Sequence, residues 1–104
     1  MARNGIPTQR EAVILSLLVS GERYGREIRE LYQRQAGSSL PYGALYVTLD
    51  RMEQEGFVEA RLGESSHERG GNRRKFFRIT ADGRLALDSF QIIAASFREG
   101  LCHG

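Results

Sequence analysis

Apolar residues recur along this chain with two different periods, and the switch between them divides it into segments. Val13, Ile14, Leu17 and Leu18 fall at helical spacing, which predicts a first helix over about Gln9–Val19. Thr8-Gln9-Arg10-Glu11 before them has the pattern of a capping box: Thr8 accepts from the Glu11 N–H, and Glu11 reaches back to that of Thr8. Ser20-Gly21 ends this helix. A second helix is expected over Gly25–Gln35, with Ile28, Leu31 and Tyr32 on its apolar face. Arg23, Arg26, Glu27, Arg29, Glu30 and Arg34 form its wet face, and Gly37 suits the C′ position. A third helix begins near Pro41, which suits a first helical turn because proline lacks an N–H to leave unpaired. Leu45, Leu49 and Met52 share one face of it, and Gly56 stops it. The opposite face carries Gly43, Val47, Asp50 and Gln54, with Tyr46 and Arg51 flanking.

The period then changes to two. Val58, Ala60 and Leu62 alternate with Glu59 and Arg61, and Phe77 and Ile79 alternate with Phe76 and Arg78, as half-buried strands do. Gly63–Lys75 between them is too long for a tight turn and is expected as a mobile wing around Gly70-Gly71-Asn72. Thr80 can cap a last helix, with Asp82 complementing the dipole of its first turn. Phe90, Ile93, Phe97 and Leu101 follow at spacings of three or four. The pattern predicts an α+β fold, a winged helix-turn-helix of three helices and a two-stranded hairpin, plus a C-terminal helix. We divide it at residue 80: residues 1–80 form the winged-helix unit and 81–104 a dimerisation helix in the same compact body.

A chain of 104 residues accommodates one small domain. With 40% hydrophobic and 27% charged residues it has the composition of a folded protein, not of a disordered one. Such a domain buries roughly 60–70% of its unfolded surface, so a partner subunit would add stability. The formal net charge is only +2, so the placement of the charges matters more than their total. Between Glu64 and Ile79 stand five cations (Arg69, Arg73, Arg74, Lys75 and Arg78) against two acids (Glu64 and Glu68). A local cationic patch in a nearly neutral chain points to an anionic partner, although a solvated loop can carry the same charges.

Other chemistry is sparse. Cys102 is the one cysteine, so no intramolecular disulfide forms and no oxidising compartment is implied. With no apolar leader and no bilayer-length apolar run, a cytoplasmic protein without membrane contact is expected. Cys102-His103 and the distant His67 lack metal-ligand spacing, so neither metal nor cofactor is expected. No nucleophile–base constellation, HExxH motif or phosphate-binding glycine loop appears, which argues against an enzyme.

Duplex DNA suits the patch and the third helix together. The Tyr46 hydroxyl can donate to a phosphate oxygen, and Gly43 near a helix N-terminus permits close backbone approach. Tyr42, Val47, Asp50 and Arg51 are candidates for base edges, Asp50 being placed on the rim by its charge. Ser39 in the preceding turn completes this face. Arg69, Asn72, Arg73, Arg74 and Lys75 would lie along the backbone or enter the minor groove, although Lys75 and Arg78 stand near enough to the strand to serve structure instead. Val13 and Leu17 of the first helix, with Phe90, Ile93, Phe97 and Leu101 of the last, are the candidate dimer surface. Those apolar residues would otherwise close the monomer core.

The chain resembles the PadR family of bacterial transcriptional regulators over nearly its whole length, in the short form with a single C-terminal helix. The residues that carry the resemblance are Gly25-Arg26-Glu27-Ile28, Gly43-Ala44-Leu45-Tyr46-Val47-Thr48-Leu49 with Met52-Glu53 and Gly56, and Gly71-Asn72-Arg73-Arg74-Lys75-Phe76-Phe77-Arg78-Ile79-Thr80-Ala81-Asp82-Gly83-Arg84. It departs from the family pattern at Ala44, where a small hydroxyl residue is usual, at Val47, where proline is usual, and at Arg26, where an aromatic is usual. The resemblance implies a phosphate contact from Tyr46 and a homodimer built from the terminal helices. Two recognition helices would then face half-sites one turn apart, roughly 34–36 Å. It also implies a palindromic operator, a repressor role, and the possibility of a small-molecule effector of unknown identity. Two other readings remain beside it: a winged-helix module that binds protein, and a small-molecule-sensing dimer whose DNA role is secondary.

Overall fold

The computed structural model describes residues 5–63 and 74–103, the side chains of 99–103 excepted. The elements run α1 (Gln9–Leu18), β1 (Arg23–Tyr24), α2 (Gly25–Ala36), α3 (Tyr42–Gln54), β2 (Val58–Leu62), β3 (Lys75–Ile79) and α4 (Ala81–His103). The capping box at α1 forms as its residues dictate: Glu11 N–H donates to Thr8 Oγ1 at 3.1 Å, and Thr8 N–H to Glu11 Oε1 at 2.9 Å. Glu11 is nonetheless buried, its carboxylate covered where α1 enters the core. α1 has no basic residue in its last turn. Two distant arginines serve its C-terminal carbonyls instead, Arg23 donating to Leu17 O at 2.8 Å and Arg84 to Val19 O at 3.4 Å.

Two features differ from expectation. Pro41 is the N-cap of α3, with extended backbone (φ −61°, ψ 149°), and the helix starts at Tyr42. The sheet has three strands, not two, in the order β1-β3-β2 and antiparallel throughout. β1 is two residues long, too short to show alternation in the sequence, and pairs Arg23 with Phe77 and Tyr24 with Phe76. β2 pairs with β3 from Val58↔Ile79 to Leu62↔Lys75, and Gly63 N–H donates to Arg74 O at 2.7 Å to close the base of the hairpin. Gly37 ends α2 in the left-handed region (φ +70°), and Gly56 does the same after α3 (φ +82°).

One core joins all the layers. Ile14, Leu15 and Leu18 of α1, Ile28 of α2, Leu40 of the turn, Leu45, Leu49 and Met52 of α3, and Val58 and Phe77 of the sheet are almost completely buried. Phe77 heads the fully buried side chains by volume, and its removal would cost about 3–5 kcal/mol. Leu62 ends the inward row of β2 at 59% exposure, since the sheet runs past the core there.

Thr80 caps α4 as expected: its Oγ1 accepts from Gly83 N–H at 3.0 Å and donates to Gly56 O at 2.5 Å. The first half of α4 packs on the core through Ala86 and Leu87, with Phe90 and Val13 partly buried beside them. Leu17, expected on the dimer surface, belongs to this core at 9% exposure and offers a partner almost no area. Farther along α4, Ile92, Ile93 and Phe97 are exposed. Leu101 lies in α4, with its side chain outside the described residues. Among the described residues, no helix is long and apolar enough to cross a membrane, and no cluster of His, Cys, Asp or Glu could hold a metal ion.

Candidate nucleic-acid interface

α3 divides along its length. Leu45, Leu49 and Met52 point into the core, and Tyr42, Gly43, Tyr46, Val47, Asp50 and Arg51 point out. The outward residues are the ones expected to face a partner, together with Ser39, also exposed in the turn before the helix. Val47 is 62% exposed at the centre of this face, a branched apolar side chain with no core to fill. A Cβ at Gly43 would meet nothing within 4 Å, so no neighbour within the fold requires glycine there. Ala44 is half-buried and packs on the core. The open groove beside this face, about 620 Å³, runs between the start of α1 (Thr8, Gln9, Arg10) and α3 (Gly43, Val47, Thr48, Arg51).

The tyrosines of α3 are held from behind by α2. The Tyr42 and Tyr46 rings stack at 6.4 Å between centroids and 18° between planes, as their i, i+4 spacing on one helix allows. The Arg29 guanidinium lies over Tyr42, 4.4 Å from the ring centroid. Arg29 Nε also donates to Leu40 O at 2.6 Å, and Leu40 N–H donates to Gln33 Oε1 at 2.8 Å. Both bonds hold the turn between α2 and α3. Tyr46 crosses the start of α2 at buried Gly25, where an added Cβ would collide with the Tyr46 hydroxyl and stand 2.8 Å from its Cζ.

At the base of the wing, Arg74 and Lys75 are exposed, whereas Arg69, Asn72 and Arg73 lie outside the described residues. Lys75 stands 3.9 Å from the Glu53 carboxylate, and Arg78 pairs with Glu59 at 2.9 Å. These two cations therefore tie the strand to its neighbours. On the outer sheet face Tyr24, Phe76 and Arg61 are aligned across three strands by the register. Tyr24 meets Phe76 edge-on at 5.7 Å, Arg61 lies over Phe76 at 4.9 Å, and Arg74 over Tyr24 at 4.6 Å. Arg61 also pairs with Glu22. That hydrogen bond holds the Glu22 carboxyl below its ordinary range and raises the Arg61 guanidinium above its own.

Sequence reasoning missed the roles of Arg29 and Gly25. It placed Arg29 on a solvated face by its charge, and it read Gly25 within a family motif without a packing reason. The signal that could have found them is the matched spacing, residues 25 and 29 on one helix against 42 and 46 on the next. The outer aromatic row was invisible because β1 was not foreseen.

Three helices, a three-stranded sheet with a hairpin wing and a long closing helix define a winged helix-turn-helix of the transcription-regulator type. The chain belongs to the PadR family: the model of the transcriptional regulator PadR-like family matches residues 14–89. These proteins regulate transcription and are not enzymes. An uncharacterized protein of Lysinibacillus sphaericus is 32% identical over 79 residues, 74% of this chain and 70% of that protein. Among solved structures, a PadR-like transcriptional regulator of Bacillus cereus is 28% identical with a TM-score of 0.71, over 90% of this chain and 91% of that one. Bacillus subtilis PadR, solved in complex with operator DNA, is 25% identical with a TM-score of 0.70, over 79% of this chain and 46% of that longer one. A transcriptional regulator of Thermoplasma acidophilum shares the fold at 23% identity, with a TM-score of 0.77 over 90% of this chain and 87% of that one.

Proposed function

We propose that the protein binds duplex DNA as a homodimer and represses transcription from a palindromic operator, with α3 in the major groove and the wing on the backbone or in the minor groove. The observation that carries this reading is the exposed face of α3, where Tyr42, Gly43, Tyr46 and Val47 stand outward with no role in the core. The operator complex of the Bacillus subtilis relative supports it. Tyr46 would donate to a phosphate and fix the register. Tyr42, a base-edge candidate by sequence, is stacked on it and would share that role, with Ser39 and Gly43 beside them at the start of the helix. Val47 and Arg51 would meet base edges, Val47 through a thymine methyl and Arg51 through guanine O6 and N7. Arg69, Asn72, Arg73 and Arg74 would follow the backbone, with Lys75 at its margin. Ile93 and Phe97, exposed on α4, would pair with a second copy, joined by Phe90, Val13 and Leu101. A small-molecule effector would act through the same dimer.

Selection of bound duplexes from a random pool, repeated at two salt concentrations, tests this. A recovered palindrome whose affinity falls steeply with salt supports the reading. Recovery of no duplex would favour the alternative, a protein-binding winged helix.

A further inference from the structure

Two residues of α2 stand one helical turn apart, and so do the two tyrosines of α3 that they meet. Gly25 lies under Tyr46, where a Cβ would strike the hydroxyl. Arg29 lies over Tyr42 at 4.4 Å, fixed by its own bond to Leu40 O at 2.6 Å. The stack of Tyr42 on Tyr46, 18° between planes, links the two contacts into one column. Exposed tyrosines on a helix ordinarily sample several rotamers, and ordering a side chain on binding costs about 0.5–1.5 kcal/mol. A column fixed before the partner arrives avoids that cost.

We infer that the Gly25–Arg29 ridge of α2 is a seat that orients Tyr42 and Tyr46, so that Arg29 is a positioning residue for the phosphate contacts and not itself a phosphate contact. This rests on the DNA-binding reading above. Charge alone is insufficient for the role. The planar guanidinium stacks on a ring face while its Nε–H serves a carbonyl, which a lysine ammonium cannot do in the same geometry.

Salt dependence separates the two roles. A cation that neutralises a phosphate contributes about 0.9 to the slope of log affinity against log salt, whereas a tyrosine hydroxyl releases no counterion. The test uses one duplex recovered from the random pool, measured across a salt series at a temperature where circular dichroism shows every variant folded. Arg29→Gln is expected to weaken binding roughly tenfold, the worth of one or two lost neutral hydrogen bonds, with little change in slope. Arg29→Lys should fail to restore affinity. Removing both hydroxyls (Tyr42→Phe with Tyr46→Phe) should weaken the wild type by a similar factor and change little in the Arg29→Gln background. Gly25→Ala, which displaces Tyr46 without touching charge, should reproduce part of the loss.

Additive losses, a slope reduced by about 0.9 in Arg29→Gln, or full rescue by lysine would make Arg29 a phosphate contact and overturn the inference. Full affinity in Gly25→Ala would remove the other half of the seat. If the wild type recovers no duplex at all, the DNA-binding reading itself has failed.

Discussion

The exposed face of α3 and the base of the wing present the same proposed partner with opposite chemistry. The first two turns of α3 offer Tyr42, Gly43, Tyr46 and Val47, all uncharged, with the two rings braced by a neighbouring helix and the charged Asp50 and Arg51 farther along. The base of the wing and the sheet beneath it carry Arg61, Arg74, Lys75 and Arg78, and three of the four face a carboxylate: Glu22, Glu53 and Glu59 respectively for Arg61, Lys75 and Arg78. Of these four, Arg74 alone has no carboxylate partner among the described residues, and it rests on the Tyr24 ring. A count of cations in the sequence therefore overstates what this region can give to an anion. On the proposed reading, α3 would supply shape and register, and Arg74 together with the wing cations outside the described residues would supply the ionic-strength dependence.

The largest effect should come from removing the second copy of both surfaces. Ile93→Asp with Phe97→Asp places charge on exposed apolar positions of α4 without cutting into the core. Sedimentation should then show a monomer, with affinity for a palindromic duplex lower by about 10²–10⁴-fold as the linked second contact is lost. A dimer that survives moves the interface away from this part of α4. Next, Arg73→Ala with Arg74→Ala should weaken binding to every sequence alike and reduce the salt slope by about 2 per subunit, near 0.9 for each lost phosphate contact. An unchanged slope would end the assignment of the wing to the backbone.

Val47→Ala tests the other side of the comparison. It removes two methyls from an exposed position, so the fold should be unaffected, while binding falls by about 1 kcal/mol if a thymine methyl is covered. The salt slope should stay as in the wild type. Replacing that thymine by uracil should cost the wild type the same and Val47→Ala nothing. Equal losses in both proteins would separate Val47 from the methyl.

The fold was largely legible because its signals are local. The capping box at Thr8, the inward row Leu45, Leu49 and Met52, the αL cap at Gly37 and the Thr80 cap each depend on residues within a turn or two of one another. Pro41 was displaced by one position, since an N-cap and a first helical residue both suit proline's fixed φ. β1 was not legible: two residues carry no period, and pairing with β3 is a long-range event. The candidate face of α3 could be read from the side opposite its apolar row. Its seat on α2 could not, because Arg29 looks like any solvated arginine until Leu40 and Tyr42 are brought against it. Leu17 failed as a surface residue for a related reason. Helical spacing shows that a side chain is apolar on one face, and not whether its own chain or a second copy covers that face.

The smallest effect concerns the tie between Glu22 and Arg61, which holds a cation of the sheet away from any partner. Hydrogen bonding to Arg61 depresses the Glu22 pKa in the folded state, against an opposing push from desolvation. The stabilisation is therefore present above the unfolded-state pKa and is lost as pH falls through the lower folded value. Both groups are exposed, so the contribution is slight. Glu22→Gln should lower the thermal midpoint a little at neutral pH and match the wild type once the pH is below the folded pKa. At neutral pH the variant also releases Arg61, beside Arg74 on the same sheet face, and the salt slope of DNA binding should rise by as much as about 0.9. A slope that stays put would mean that Arg61 remains on the Phe76 ring without its carboxylate, and that the aromatic row, not the ion pair, keeps this cation from the backbone.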